Sequence, residues 1–456
     1  MGVGLPNSSK HASDGSVNPS LYRFPQVPLE VERYPTPPEG LQLEQVHVYV
    51  RHGERTPVGI RLNKPPASIP EHWEMCKTAR RFRSTVTSMA GLSTDGVIDE
   101  ILYHKKMVER PDGTVTEGEC LLGELTDLGR QTTFNFGDSL RRLYVQKLGF
   151  LPDILETKGQ IYLRSTNMPR TMESLQQVVH GLYPTEKCHP ASLPALLVRN
   201  GKDENLIGNT YACKRLEILQ VSFAKAAAEA YNRTLEHLDK KVSKYLDGNP
   251  IRVDGKPRAS GVLDTIRAAV AHGIKVPSEF EDKSIIDAIE RAVVSEWFAD
   301  KTEEVRRLGM GLLLDDLSRK MQQKAAKGEK DPLKILVHST HDTAIAGLCS
   351  TLDVFDEKWP AFTASITFEL FKKVSPESQA SQTQTLLSRL GNKATPEHYV
   401  RMRYQNKNMF LPMCAEEGNH LEGSPEFCTL SAFRDRVKEL IPRDWDTECS
   451  PAGRKS

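Results

Sequence analysis

The chain lacks an excess of charge of either sign. Its 456 residues carry 61 basic and 60 acidic side chains, which gives a formal net charge of +1 at pH 7. Proteins that bind nucleic acid or an anionic membrane surface by bulk electrostatics present an excess of basic charge. The composition therefore provides no electrostatic argument for either partner, and we expect no nucleic acid among the ligands.

Long apolar runs are also missing. A helix that spans a bilayer needs about 20 mostly apolar residues in succession, and no stretch of this chain approaches that length. Residues 1–41 are rich in Pro, Ser, Gly and Asn and lack the apolar core of a secretory signal, so they read as a disordered leader. We expect a soluble intracellular protein without an integral membrane segment, with a secreted mature form as the alternative.

Paired cysteine motifs are absent as well. The eight cysteines form no CxxC pair and show no zinc-type spacing; they are Cys76, Cys120, Cys188, Cys213, Cys349, Cys414, Cys428 and Cys449. No cluster of carboxylate and histidine residues has the spacing of a metal site either. We therefore expect no metal and no cofactor. The cysteines would be thiols inside a cell and could be disulfides outside it.

The most informative segment present is VHVYVRHGERTP at 46–57. Its alternating β-branched start predicts a strand that ends in Arg51 and His52, followed by a tight turn at Gly53. Arginine offers a planar fork of donors that matches phosphate oxygens. An imidazole among guanidinium groups is held in its neutral form, in which it can act as a nucleophile.

Two later strands carry similar residues at their ends. The apolar run at 161–163 leads into Arg164, and the run at 335–338 leads into His341 and Asp342. Each is followed by a helical pattern, so Asp342 falls near a helix start, where a carboxylate can cap backbone N–H groups. Parallel strands of an α/β sheet present their carboxyl ends at one edge, so we expect these side chains to converge there.

These segments resemble the histidine acid phosphatase family, within the larger phosphoglycerate-mutase-like group. RHGERTP at 51–57 resembles the family pattern RHGxRxP, RSTNMPRT at 164–171 resembles RSTxxxRT, and the pair at 341–342 resembles the family's HD motif. The resemblance covers roughly residues 42–440. Within the family the chain is most similar to the eukaryotic acid phosphatases that include lysophosphatidic acid phosphatase.

The resemblance implies a role for each residue of the motifs. His52 would be the nucleophile that forms a phosphohistidine, and Asp342 would protonate the leaving group as general acid. Phosphate would be bound by Arg51, Arg55, Arg164 and His341. No metal would be needed, and an acidic optimum is expected because Asp342 must carry a proton. Arg170 is expected to hold a carboxylate or a helix end and not phosphate.

The expected fold class is α/β, a mostly parallel sheet flanked by helices, with a smaller, mainly helical cap domain inserted. The predicted division follows composition and the family resemblance: leader 1–41; first α/β part 42–187 with an insertion at about 58–118; cap 188–300; second α/β part 301–412; C-terminal tail 413–456. Residues 375–395 read as a polar mobile loop. The resemblance also suggests a small disulfide between Cys414 and Cys428, since secreted family members carry one near that end.

The function expected from these residues is hydrolysis of a small-molecule phosphomonoester. A phytase-like inositol polyphosphate phosphatase is one alternative, although a near-zero net charge does not favour a highly anionic substrate. A non-catalytic phosphate-binding protein is another, although both motifs are intact. A phosphoglycerate-type mutase shares the RHG opening but uses a glutamate acid and lacks the HD pair. The sequence predicts neither the physiological substrate nor the oligomeric state.

Overall fold

The structure is a computed structural model that describes residues 28–78, 81–83, 103–374 and 397–452. The first 27 residues of the predicted leader and the predicted polar loop at 375–395 lie outside the described residues. Much of the predicted insertion, residues 79–80 and 84–102, also lies outside them.

Thirteen strands occur in the described residues, and nine of them form one sheet. In chain order they are β1 Leu41–Arg51, β2 Arg81–Arg83, β3 Tyr103–Lys105, β4 Val108–Glu109, β5 Val115–Thr116, β6 Ile161–Ser165, β7 Leu196–Leu197, β8 Ile335–Thr340, β9 Ser365–Lys373, β10 His398–Tyr404, β11 Lys407–Asn408, β12 His420–Leu421 and β13 Ser424–Thr429. The pairs β2–β3 and β4–β5 form two separate hairpins.

The main sheet has the order β12-β13-β10-β9-β1-β8-β6-β7, with β11 paired to β10. Strand β1 runs parallel to β8, β8 parallel to β6, and β6 parallel to β7, whereas the strands on the β9 side are antiparallel. Arg51 lies opposite Thr340 in the register of β1 and β8. The carboxyl ends of β1, β8 and β6 therefore meet at one edge, as expected for an α/β fold, and the fold class is confirmed.

Helices cover the sheet and build the cap. In chain order they are α1 Asp127–Leu140, α2 Pro169–Leu182, α3 Lys214–Leu235, α4 Asp239–Val242, α5 Ala259–Ala271, α6 Lys283–Phe298, α7 Glu303–Arg306, α8 Leu312–Lys327, α9 Asp342–Thr351, α10 Leu430–Leu440 and α11 Trp445–Glu448. Two π-helical segments, Arg141–Lys147 and Arg307–Gly311, continue α1 and precede α8. Single turns of 3₁₀ helix connect several of these elements.

Helices α1 and α2 pack backbone to backbone beside the edge at which β1, β8 and β6 end. A Cβ on Gly137 of α1 would lie 2.1 Å from the carbonyl oxygen of Val178, and one on Gly181 of α2 would lie 2.2 Å from that of Phe134. Only glycine allows this approach. Helix α2 also contacts the turn that follows β1, where the Gly53 N–H donates to Ser174 Oγ at 3.1 Å.

The cap helices α3 to α6 surround a second hydrophobic core. Its buried side chains come mainly from 228–293 and include Leu238, Val262, Ile266, Phe280 and Ile289. Leu62, Ile69 and Trp73 join the same core, so part of the predicted insertion packs on the cap. The segment predicted to be a helical cap is therefore helical over most of 214–298, and its exact limits as a domain stay a prediction.

Both ends of the described chain pack on the main body. Tyr34 is buried and donates from its hydroxyl to Glu369 at 2.9 Å, so residues 28–40 cover the sheet and do not extend as a leader. Residues 420–429 add β12 and β13 to the sheet, and Phe433 and Val437 of α10 pack in the main core. The predicted C-terminal tail is thus part of the α/β body, because its alternating and amphipathic residues complete the sheet and its cover.

Six of the eight cysteines are paired in the structure. The disulfides are Cys76–Cys120, Cys213–Cys449 and Cys414–Cys428, and the last is the bridge suggested by the family resemblance. Cys213 precedes α3, so the second bridge joins the start of that helix to the C-terminal segment. Cys188 and Cys349 are free thiols.

Candidate active site

The His52 imidazole lies at the end of β1 with its orientation fixed by a backbone contact. Its Nδ1 is 2.9 Å from the carbonyl oxygen of Gly53, which can only accept, so Nδ1 carries the proton and Nε2 keeps its lone pair. The ring is buried. Burial holds the pKa of His52 well below its usual range, and the charges of Arg51, Arg55 and Arg170 lower it further. The imidazole is therefore neutral, with Nε2 available as a nucleophile.

Arg51 is held from three sides at the same strand end. Its guanidinium donates to the carbonyl oxygen of Pro360 at 2.6 Å, pairs with Asp342 Oδ2 at 2.6 Å, and stacks 4.3 Å over the ring of Phe362. Burial lowers the pKa of Arg51 to about 10, against the opposing charge of Asp342. The group is thus still a cation at neutral pH, in a fixed orientation.

Arg55 is oriented by a residue from the cap that the sequence did not single out. Its guanidinium donates to the Thr56 carbonyl oxygen at 3.0 Å and pairs with Asp264 of α5 at 2.9 Å. The other oxygen of Asp264 accepts from the backbone N–H of Val58 at 3.0 Å. Asp264 therefore joins the cap to the RHGERTP turn. No motif in the sequence pointed to it, because the contact depends on how the cap sits over the sheet.

Asp342 is the first residue of α9 and is buried beside Arg51. Its Oδ2 accepts from Arg51 and from Trp359 Nε1 at 3.2 Å, and its Oδ1 accepts from the N–H of Thr343 at 2.8 Å. Burial alone would raise the pKa of Asp342, but the positive charges of Arg51 and Arg55 outweigh it and leave the pKa below its usual value. Without substrate, the carboxyl group is ionised and paired.

The His341 imidazole lies next to the His52 imidazole. Its imidazole lies edge-on to that of His52, with centroids 5.6 Å apart, and its Nε2 is 2.9 Å from Thr166 Oγ1. Thr166 in turn contacts Thr171 Oγ1 of α2 at 2.8 Å. Burial lowers the pKa of His341 to about 4, helped by the charge of Arg170. The hydroxyl contacts hold a neutral ring in place.

The structure brings Arg170, and not Arg164, to this cluster. The charge of Arg170 acts on the pKa values of both His52 and His341, and its Nε is buried without a hydrogen-bond partner among the described residues. Arg164 is buried against Glu204, with Asp316 at 3.8 Å. Its contacts therefore do not support the prediction that it binds phosphate.

The reason for this difference lies in the geometry after β6. Strand β6 carries Arg164 beside His338, within the sheet, under helix α8. The chain then leaves the sheet edge, and α2 begins at Pro169, so Arg170 falls in its first turn, where its charge acts on His52. The sequence predicted Arg164 as the phosphate-binding arginine and expected Arg170 to hold a carboxylate or a helix end, because the spacing of the RSTNMPRT element does not show which arginine reaches the edge.

A cavity of about 510 Å³ opens beside His341, Asp342 and Arg170. Much of its wall is apolar, and these lining residues include Met168, Ile207, Val221, Phe223, Trp297, Phe298, Val305 and Met310. The two arginines on its wall besides Arg170 are already paired, Arg258 with Glu296 and Arg306 with Asp353. This cavity beside His341 and Asp342 thus suits an apolar group better than a polyanion.

In the parts of the chain that the structure describes, no three His, Cys, Asp or Glu side chains are grouped so that they could hold a metal ion. None of the helices in those same ranges is both long and apolar enough to cross a bilayer.

Comparisons with known proteins agree with this geometry. A family model described as the histidine phosphatase superfamily (branch 2) matches residues 42–405. A probable acid phosphatase of Schizosaccharomyces pombe is 35% identical over 452 residues, which covers 91% of this chain and 95% of that protein. Lysophosphatidic acid phosphatase type 6 of Homo sapiens is 27% identical over 420 residues, covering 90% of this chain and 86% of that protein.

Solved structures share the fold at low identity. Hafnia alvei phytase has a TM-score of 0.53 at 16% identity, covering 89% of this chain and 98% of that one. The multiple inositol polyphosphate phosphatase of Bifidobacterium longum, in complex with inositol hexasulfate, has a TM-score of 0.55 at 12% identity, covering 94% and 99%. At these identities the likeness shows the fold alone.

Proposed function

The chain belongs to the histidine phosphatase superfamily, branch 2, and is an acid phosphatase, a hydrolase of phosphoric monoesters; we propose that it acts through a phosphohistidine on His52. The observation that carries the proposal is the hydrogen bond from His52 Nδ1 to the Gly53 carbonyl oxygen. It leaves Nε2 unprotonated in a buried setting surrounded by cations, which is what an imidazole nucleophile for phosphate requires.

In the first step, Nε2 of His52 attacks phosphorus and the bond to the ester oxygen breaks. Arg51, Arg55 and Arg170 bind the non-bridging oxygens, with His341 as a further donor, and so stabilise the charge that these oxygens carry in the transition state. Arg170 takes the place assigned to Arg164 from sequence, because it is the arginine adjacent to His52 and His341.

Asp342 would supply the proton that the departing oxygen needs. Its carboxylate is paired with Arg51 at 2.6 Å in the free enzyme. A bound phosphate dianion would neutralise Arg51 and Arg55, the two charges that lower the pKa of Asp342, so the carboxyl group would gain a proton more easily in the complex. Water then hydrolyses the phosphohistidine and releases phosphate. Because the acid must be protonated, kcat should fall as the pH rises through its pKa in the complex.

The substrate class follows from the cavity beside Asp342. A phosphomonoester with an apolar chain on its leaving group would fill a space lined by residues such as Val221, Phe223 and Trp297. The name of the lysophosphatidic acid phosphatase relative points to the same kind of ester. An inositol polyphosphate would need unpaired cations for its other phosphates, whereas Arg258 and Arg306 are already paired with carboxylates. We therefore favour an amphiphilic phosphomonoester over the phytase-like alternative.

The nucleophile is tested by trapping. Quench of the enzyme with alkaline detergent, which preserves the acid-labile phosphohistidine, during turnover of a ³²P-labelled monoester should leave label on His52, identified by peptide mapping at alkaline pH, and His52→Ala should abolish both labelling and turnover. His72→Ala, which removes a histidine that pairs with Glu119 away from the site, is the matched control and should keep both. Label on a serine or cysteine would overturn the assignment.

The compartment is a separate proposal. Three disulfides persist only where the surroundings are oxidising, so we infer that the protein folds in such a compartment. This argues against the intracellular location expected from the sequence. Alkylation of the denatured protein from its natural source, without reductant, should modify Cys188 and Cys349 and leave the six paired cysteines unmodified; modification of all eight cysteines would contradict the inference.

A further inference from the structure

Trp359 contacts the proposed general acid, and the reaction described so far assigns it no role. Its indole Nε1–H donates to Asp342 Oδ2 at 3.2 Å, the same oxygen that pairs with Arg51. The backbone N–H of Thr343 donates to the other oxygen at 2.8 Å. Of these three donors from the described residues, Arg51 carries a charge, Thr343 donates from its backbone, and Trp359 is a neutral side chain.

The segment that carries Trp359 contacts both members of the Arg51–Asp342 pair. The carbonyl oxygen of Pro360 accepts from Arg51 at 2.6 Å, and the guanidinium of Arg51 lies 4.3 Å over the ring of Phe362. Trp359, one residue before Pro360, holds Asp342. The acid and the arginine are therefore both held by one short stretch of chain just before β9.

Two cap helices hold Trp359 in turn. Glu290 of α6 accepts from the backbone N–H of Trp359 at 2.9 Å, and Arg267 of α5 donates to its carbonyl oxygen at 3.1 Å. Arg267 and Glu290 also pair with each other at 3.1 Å. The indole ring packs against that of Phe298 on α6, with centroids 5.2 Å apart. The cap thus fixes the position of the indole N–H, whatever the charge on Asp342.

Substrate binding should make the contact with Trp359 more important. In the free enzyme the guanidinium of Arg51 holds Oδ2 of Asp342 at 2.6 Å. A bound phosphate competes for the same guanidinium, so the ion pair weakens at the stage when the carboxyl group must face the leaving oxygen. An uncharged indole held by the cap is not drawn toward the phosphate. Its N–H also stabilises the ionised carboxyl group, and so limits how far the pKa of Asp342 rises in the complex.

We propose that Trp359 is a positioning residue, whose indole N–H holds Asp342 in place while Arg51 binds the phosphate of the substrate. This rests on the proposed role of Asp342 as general acid and adds the residue that orients the acid during phosphoryl transfer. Because the indole acts on Asp342 and not on the phosphate, its loss should affect only the steps that need the acid.

The test removes the N–H and keeps an aromatic ring. Single-turnover rates of phosphoryl transfer are measured against pH for the unmodified enzyme and Trp359→Phe, on an alkyl phosphate and on an aryl phosphate with a good leaving group. With the alkyl ester the rate falls as the pH rises through the pKa of Asp342 in the complex. Loss of one hydrogen bond to the carboxylate should raise that pKa and move the fall upward by about one pH unit. Rates on the aryl ester should change little.

The position of this fall is independent of how much enzyme is folded, and ionisation of the substrate is the same for every variant. A second variant replaces Trp359 with 3-benzothienylalanine, in which sulfur takes the place of the N–H. It keeps the size of the indole and so excludes the water that a smaller phenyl ring could admit beside Asp342. The upward shift should be at least as large as in Trp359→Phe.

Trp73→Phe is the matched control. It also breaks an indole hydrogen bond, from Trp73 Nε1 to the Pro70 carbonyl oxygen at 2.8 Å, and its ring packs in the core of the cap. Because this indole does not contact Asp342, the pH profile on the alkyl ester should stay where it is.

Two results would overturn the inference. One is an alkyl-phosphate profile that does not move upward when 3-benzothienylalanine replaces Trp359. The other is a rate loss of the same size on the aryl ester, which would show that Trp359 supports the site as a whole and not the acid. Neither would affect the phosphohistidine, whose own test is the labelling of His52. A failure of Asp342 as general acid is recognised separately, by equal losses on both esters in Asp342→Asn.

Discussion

At the scale of single residues, burial and neighbouring charges together set the pKa values of the site's titratable groups. Arg51 and Arg55 lower the pKa of Asp342, while burial of the same carboxyl group raises it. His52 is kept neutral by burial and by three guanidinium groups. Phosphate binding would change this balance most at Asp342, since it removes the charges that hold the carboxyl group ionised. The role of Asp342 can be isolated by its dependence on the leaving group.

Asp342→Asn should separate substrates by the quality of their leaving groups. The amide cannot give up a proton, so alkyl phosphates, whose alkoxides leave poorly, should lose on the order of 100- to 10,000-fold in the rate of phosphoryl transfer. Aryl phosphates with acidic phenols should lose far less. Single-turnover rates on both substrate types measure this directly. Equal losses would mean that Asp342 only positions Arg51 and that the general acid lies elsewhere.

Replacing each of the two arginines of the RSTNMPRT element with alanine gives a matched pair of variants. Arg170→Ala should lower kcat/KM for all monoesters by on the order of 100- to 1,000-fold, the cost of one donor to the transition-state oxyanion. Arg164→Ala should instead lower the free energy of unfolding by roughly 3 to 5 kcal/mol, because Glu204 keeps only its backbone N–H donors and loses the buried guanidinium that balances its charge. The inhibition constant of inorganic phosphate, measured on the folded fraction, should change only for Arg170→Ala. The reverse pattern would restore the assignment made from sequence.

At the scale of elements, the site depends on the close crossing of α1 and α2. The crossing is made by Gly137 and Gly181, whose missing side chains let the two backbones touch. Because α2 carries Arg170 in its first turn and Ser174 against the Gly53 N–H, the position of this helix sets the position of the arginine that we propose binds phosphate. Packing within the pair therefore contributes to both stability and function.

Gly137→Ala should reveal this coupling. The added methyl group would lie 2.1 Å from the Val178 carbonyl oxygen, so the helices must separate, and we expect a loss of about 2 kcal/mol or more in unfolding free energy. Gly309→Ala is the control, since a Cβ there meets nothing within 4 Å; it should be neutral or stabilise by up to about 1 kcal/mol. Urea titrations compare the two. Similar effects would mean that the helix crossing has room to adjust.

At the scale of the whole molecule, acid should weaken the fold through its buried histidines. Burial lowers the pKa values of His47, His52 and His338 well below the usual range and that of His341 to about 4. Unfolding restores values near 6.5. Between about pH 6.5 and pH 4 the unfolded chain therefore binds more protons than the folded one, so the free energy of unfolding must fall as the pH falls through this window.

A variant of the core pair tests this origin. His47 and His338 lie on the neighbouring strands β1 and β8, with 4° between their ring planes. His338→Phe removes one titrating ring and should reduce the slope of unfolding free energy against pH by about 1.4 kcal/mol per pH unit within that window. Urea titrations at a series of pH values measure the slope. An unchanged slope would show that carboxylates, and not these rings, govern the acid response.

Much of the site was predictable because it is local. The strand from Val46 to Arg51, the turn at Gly53, and the positions of His341 and Asp342 at the start of α9 depend on alternation, β-branching and helix-start chemistry within a few residues of sequence. The family resemblance added their roles. The α/β class followed from the same strand and helix patterns, and the structure confirms it.

The tertiary structure decided whatever depends on how distant segments approach one another. The pattern RSTNMPRT contains two arginines, and only the path of the chain over the sheet edge brings Arg170 to His52 while burying Arg164 against Glu204. Asp264 belongs to a cap helix with no motif, so its contact with Arg55 depends on how the cap sits on the sheet. Charge and packing between segments far apart in sequence have no local signature, so only the tertiary structure shows these contacts.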